Sequence, residues 1–164
     1  MHEKLISAAI EYDRGDAKRI QHFIKVYQFA ALIGSEEGLS DTEMKALSAA
    51  AILHDIGIRE GERLYCRCDG EIQERLGPDI AKQIMAAVGG YEDVAERAAQ
   101  LIGRHHTYTD IDGADCQILI EADFLVNLYE DGCGADAIKS AREKILRTKT
   151  GTSLLDTMFS LKEQ

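Results

Sequence analysis

The segment Ser48-Ala49-Ala50-Ala51-Ile52-Leu53-His54-Asp55-Ile56-Gly57 decides how this chain is to be read. An apolar, alanine-rich run ends in an adjacent histidine and aspartate, and then in a glycine. Ala, Leu and Met dominate from Asp41 onward, which predicts a helix, and Gly57 is expected to close it in the left-handed conformation. Counting back along that helix, His54 shares a face with Ala51 and Leu47, while Ala51 and Ser48 lie beneath Asp55. Both polar side chains therefore point toward the core. A buried carboxylate with no counter-charge is costly or gives up its charge, so a cation is required there, and a metal ion is the simplest one.

The 164 residues, 45% of them apolar, suffice for one compact domain spanning 1–164 with a real core. The formal charge of −10 repels phosphate backbones, which argues against a nucleic-acid polymer as partner. Any anionic substrate must be drawn in locally, by a metal or by a few placed cations. No apolar run approaches the ~20 residues of a membrane span. The start, Met1-His2-Glu3-Lys4, lacks the basic and then apolar character of a secretory signal. Cys66, Cys68, Cys116 and Cys133 show no disulfide-framework spacing, and Cys66-x-Cys68 is one residue short of the usual zinc or redox pair, so reduced thiols in a cytoplasmic protein are expected.

Pro78 is the only proline, β-branched alternation is rare, and 3.6-residue periodicity is nearly everywhere, so the chain reads as all-α: helices joined by short glycine-marked turns. The expected helices are Glu3–Tyr12, one capped by Asp16 and ending near 34–38, and one capped by Ser40 or Asp41 with Glu43 completing a capping box. Ile58–Gly70 reads as a loop beside the site. Pro78 suits the first turn of a helix over Asp79–Val88. Further helices are expected over Glu92–His106, Ala114–Tyr129, Ala135–Lys149 and Ser153–Lys162, with the last two packing on the motif-bearing core of about 15–130. Leu154, Leu155, Met158 and Phe159 could close the domain or make a homodimer contact.

Beyond the terminal His2, four histidines sit on apolar helix faces. His22 lies among Ile20, Phe23 and Ile24; His105 continues the stripe Val94, Ala98, Leu101; His106 continues Ala95, Ala99, Ile102. Asp123 shares a face with Leu119 and Val126. One such histidine is ordinarily a hydrogen-bonded core residue, but four with two inward aspartates are too many for packing alone. Two imidazoles with two carboxylates suit magnesium or a divalent first-row metal and suit copper(I) poorly.

An early His22, the adjacent His54-Asp55 at a helix end and the late Asp123 resemble the signature of the HD-domain superfamily of metal-dependent phosphohydrolases, with flanking patterns His22-Phe-Ile-Lys-Val26 and Leu53-His-Asp-Ile-Gly57. The resemblance implies a multi-helix bundle with a metal site between its core helices. In it His22, His54, Asp55 and Asp123 hold one divalent ion: manganese, iron, nickel, cobalt, zinc or magnesium. Members with two metals add histidines between the His-Asp pair and the final Asp. His105 and His106 match the last of those places, but the intermediate histidine is missing and Gln73 is the nearest polar residue. The expectation is one firm metal, with His105, His106 and Gln73 as pocket residues or a weak second position.

Such a site activates water and takes a phosphate oxygen, and Asp55 can orient the water or accept its proton. Outside the metal, Lys25 is the first candidate for a fixed phosphate-binding cation and Arg59 the second, a plain surface charge being the alternative for each. Some nucleotidase members carry a carboxylate three residues after the His-Asp aspartate; Ile58 stands there, leaving Glu60 or Glu62 for that role. Tyr108 and Asn127 could read a base or sugar, or simply complete turns and helix hydrogen bonds, with Cys66 and Cys68 at the pocket rim. The expected reaction is hydrolysis of a small phosphorylated metabolite, a nucleotide above all. A di-iron oxygenase resembling inositol oxygenase, which needs six ligands, and a non-catalytic metal- or nucleotide-binding domain are the alternatives.

Overall fold

Ala46 to Leu53 are all buried, so the helix that carries them turns no face to water along its last two turns. The three consecutive alanines allow other helices to approach it closely from every side. The computed structural model describes residues 2–160, and among these the structure is all-α, with nine helices. They are α1 (Glu3–Tyr12), α2 (Ala17–Glu36), α3 (Asp41–Leu53), α4 (Ile58–Tyr65), α5 (Gly70–Val88), α6 (Ala95–Ile102), α7 (Ala114–Glu130), α8 (Ala135–Lys144) and α9 (Lys149–Met158). None is long and apolar enough to cross a membrane.

Helices α3 and α7 form the centre. α7 is buried from Ile118 through Asp123. α2 lies against both, α6 packs on α3, and α5 packs on α6, α1 and α4. The core runs without a break from Leu5 to Leu155. Local chemistry sets the helix starts. Asp16 accepts a hydrogen bond from the Arg19 amide at 2.9 Å, and Ser40 and Glu43 form the reciprocal capping box that opens α3.

Several expectations are corrected. Ile58–Tyr65 is helical rather than a loop. Gly57 is right-handed (φ −73°, ψ −18°) and the chain passes straight into α4. Its glycine is needed for space: a Cβ there would lie 3.0 Å from both the Gln73 carbonyl oxygen and the Gly77 amide nitrogen of α5. Pro78 lies inside α5, which begins eight residues before it, under an Asp69 cap that accepts from Ile72 N. The missing N–H at Pro78 leaves the Glu74 carbonyl without its helical donor, and α5 leans there on Gly103, where a Cβ would meet Pro78 Cγ at 3.2 Å. α6 covers only Ala95–Ile102, and His105 and His106 lie in the turn that follows it.

The chain also leaves α8 at Lys144, before the expected Lys149. Buried Glu121 of α7 draws the amides of Arg147 and Thr148, at 2.6 and 2.8 Å, together with the Thr148 hydroxyl. These bonds fix the start of α9, where Gly151 leaves room for the carboxylate. Leu155 is fully buried, and Leu154 and Phe159 pack on the core, so α9 closes the domain against α7 and α2. The expected end of that helix at Lys162 lies outside the described residues.

The glycine contact between the His-Asp turn and α5 yields a stability test. Gly57→Ala should cost about 1–3 kcal/mol, lowering Tm by several degrees in thermal denaturation. Gly134→Ser, at the cap of α8 with nothing within 4 Å, should be neutral or slightly stabilising.

Candidate metal centre

The ends of α3 and α6 carry histidines in the same way. His54 Nδ1 donates to the Ala51 carbonyl at 2.9 Å, and His105 Nδ1 donates to the Ile102 carbonyl at 2.7 Å. These carbonyls lie in the last turns of their helices and lack intrahelical partners. A carbonyl only accepts, so each Nδ1 carries the proton and each Nε2 of a neutral ring is a bare lone pair. His22, on α2, is oriented similarly: its Nδ1 lies 3.0 Å from Glu130 Oε2, and its Nε2 turns inward.

These nitrogens meet the two aspartates. His22 Nε2 lies 3.2 Å from His54 Nε2 and 3.1 Å from Asp123 Oδ1, and Asp55 Oδ2 stands 3.6 and 3.5 Å from the two rings. In neutral rings none of these atoms has a proton to give. His105 Nε2 is buried, accepts no hydrogen bond and faces Asp55 Oδ1 at 3.7 Å. Positive charge must sit among them. Burial opposes an imidazolium at His54, but Asp55 and Asp123 outweigh it and push His54 up to about 9. Burial likewise opposes the charge on His22, whose pKa is nonetheless raised by Asp123 and Asp55. Burial also works against the carboxylates, yet His54 holds Asp55 down to about 2, and His22 and His54 hold Asp123 well below the usual range.

The donor set fits a divalent cation. His22, His54 and Asp123 form one group able to hold a metal, and Asp55, His105 and His106 form a second, with the donor atoms of each group within 4.8 Å of one another. Asp55 joins them, with Oδ2 turned to the first group and Oδ1 to His105. The four residues expected around one metal thus converge, and Asp55 also belongs to the neighbouring group. His106 is committed on both nitrogens, Nε2 toward Gln73 Oε1 at 3.1 Å and Nδ1 toward the Tyr108 hydroxyl at 3.4 Å. Gln73 is held in turn by donating to the Cys68 carbonyl at 3.1 Å. The second group therefore rests mainly on Asp55 and His105.

The cations fall differently from expectation. A cleft of about 240 Å³ opens over His22 and Asp55, and its walls include Lys18, Arg19, Glu62, Cys68 and Asn127. Arg19 stands three residues before His22 on the same helix face, the mirror position of Lys25, and sequence reasoning missed it. Its guanidinium is shared by Asp13, Asp16 and Glu62 at 3.2–3.5 Å. Lys25 is instead paired with Glu130. Arg59 does not line this cleft: it donates to the Tyr12 carbonyl and lies over the Tyr12 ring, finishing α1. Glu60 is paired with Arg63, so Glu62 is the carboxylate of α4 that reaches the cleft. Asn127 donates to Asp123 Oδ1 at 2.9 Å, and Tyr108 stacks edge-on against Phe124. Cys66 is exposed, and all four cysteines are unpaired.

The HD domain model matches residues 19–147, a span that contains every histidine and aspartate of the two groups. A protein described as a predicted HD superfamily hydrolase, from an uncultured Thermotogales bacterium, has a crystal structure similar to this one. The TM-score is 0.69 at 25% identity, over 98% of this chain and 86% of that one. Comparison with curated proteins finds no significant match. On the extent of the domain match, together with a fold and a histidine–aspartate cluster that agree with it, this chain belongs to the HD domain family.

Proposed function

We propose that this protein is a metal-dependent phosphohydrolase that cleaves a small phosphorylated metabolite, a nucleotide phosphomonoester or phosphoanhydride above all. The observation that carries the reading is the convergence of bare imidazole nitrogens and two carboxylates at the floor of a cleft whose walls carry Lys18 and Arg19 beside Asp16, Glu62, Glu130 and Asp131. The hydrolase named in the structural comparison points the same way. His22, His54, Asp55 and Asp123 would hold the principal ion, and Asp55, His105 and His106 a weaker second one. When bound, a divalent cation supplies the charge that acidifies a water molecule and neutralises a phosphate oxygen.

The chain's own residues supply the rest. Asp55 is the general base in this reading, because its side chain retains 17% exposure and its two oxygens face different groups. Asn127 fixes the Asp123 carboxylate, and Arg19 and Lys18 draw the phosphate into an otherwise acidic protein. Tyr108 and Asn127 are the proposed contacts to the organic part of the substrate. The oxygenase alternative is disfavoured because Gln73 stands nearest the place of the missing intermediate histidine, and its amide is engaged with His106 and the Cys68 carbonyl. The four unpaired thiols suit a cytoplasmic location.

Three outcomes test this reading. In assays of metal-loaded protein on a panel of phosphate esters, Asp55→Ala should lose at least about 100-fold in kcat/KM; total inactivity of the wild type across the panel would contradict the proposal. Arg19→Gln should raise KM about tenfold, while Arg59→Gln leaves it unchanged.

The third concerns pH. His54 is raised above its unfolded value of 6.5, so its contribution to stability is complete below about pH 6.5 and is lost as pH rises toward about 9. Metal-stripped protein should therefore lose Tm between pH 6.5 and 8.5. Saturating manganese should remove most of that decline, because the ion takes over the role of the proton.

A further inference from the structure

Three histidines present their Nε2 atoms to the centre, but their opposite sides are held by different chemistry. His54 and His105 are each fixed by a backbone carbonyl from three residues earlier. His22 is fixed by a carboxylate, Glu130, from a helix more than a hundred residues away in sequence. The Glu130 side chain is only 12% exposed, and its two oxygens are divided: Oε2 faces His22 Nδ1 at 3.0 Å, and Oε1 binds Lys25 Nζ. Lys25 sits three residues after His22 on α2, so the two cationic or donor groups of one helix grip a single carboxylate of another.

The register on α7 makes this possible. Asp123, Asn127 and Glu130 are spaced four and three residues apart and so share one helix face. That face presents, in order, a ligand, the amide that fixes this ligand, and the carboxylate that fixes a ligand on the facing helix. An ordinary surface ion pair between Lys25 and Glu130 would explain neither the burial of Glu130 nor its second contact.

We propose that Glu130 is the positioning residue of the metal ligand His22, and that Lys25 acts through Glu130 rather than on the substrate. The carboxylate holds the proton on Nδ1, turns Nε2 toward His54 and Asp123, and makes His22 a more basic ligand than the two rings fixed by neutral carbonyls. Lys25 keeps the other carboxylate oxygen occupied, so that Glu130 does not turn away into solvent. The inference rests on the metal-centre reading and is independent of what the substrate is.

The test is manganese binding, read from the free-ion signal in electron paramagnetic resonance, and it needs no substrate. Glu130→Leu should raise the Kd for manganese by about 10–100-fold. Glu130→Gln, which restores an acceptor without its charge, should fall between that variant and wild type, and Lys25→Met should give a smaller rise. Melting curves of the metal-free proteins show whether each variant is folded. Glu130→Gln is nearly isosteric, so a raised Kd in it alone supports the role if the leucine variant does not fold. An unchanged Kd in both folded Glu130 variants, with wild type binding normally, overturns this inference and leaves the metal centre standing. A wild type that binds no manganese overturns both.

Discussion

Three imidazoles and two carboxylates face one another here and need a proton or a cation between them, and the rest of the structure exists to keep them in that position. In the neutral state every inward atom of the set is an acceptor, because the ring protons are held on the far side by two carbonyls and a glutamate. Such an arrangement repels itself until a proton or a metal ion enters. Left to packing alone, these positions would favour Leu or Ala, so the persistent cost of the cluster is the reason to regard it as functional.

The fold offsets that cost through rigid supports. His54 and His105 leave the ends of α3 and α6, where unpaired carbonyls are ready to take a ring proton. Glycines bring the neighbouring backbone close: Gly57 lies against α5 at Gln73 and Gly77, and Gly103 lies against Pro78. Glu74 of α5 then accepts from the amide of His106 at 2.9 Å, fixing the turn that carries both later histidines. Two residues before Asp123, Glu121 pins α9 to α7 in a similar way, a buried carboxylate met by amides and a hydroxyl.

Much of this was legible in the sequence. His22, His54, Asp55 and Asp123 stand out because each interrupts an apolar helix face, and burial of a polar side chain is a local signal. Asp16 and Ser40 announce their helices through side chains that reach only three residues ahead. What escaped notice depends on partners distant in sequence. Helical spacing places Arg19 and Lys25 symmetrically about His22, and only the approach of α7 decides that Lys25 meets Glu130 while Arg19 faces the cleft. Gly57 looked like a helix stop because the close passage of α5 cannot be inferred from the segment itself. Pro78 looked like a helix start because proline usually is one, and the Asp69 cap that overrides it lies nine residues earlier.

The proposed metal centre requires that one cation be held jointly by His22, His54, Asp55 and Asp123. An anomalous difference map at the manganese edge, from crystals grown with excess manganese, tests it most directly. The expected result is a peak about 2.0–2.3 Å from His22 Nε2, His54 Nε2 and a carboxylate oxygen of each aspartate. Density confined to other carboxylates of this acidic surface, with none among these four side chains, would contradict it.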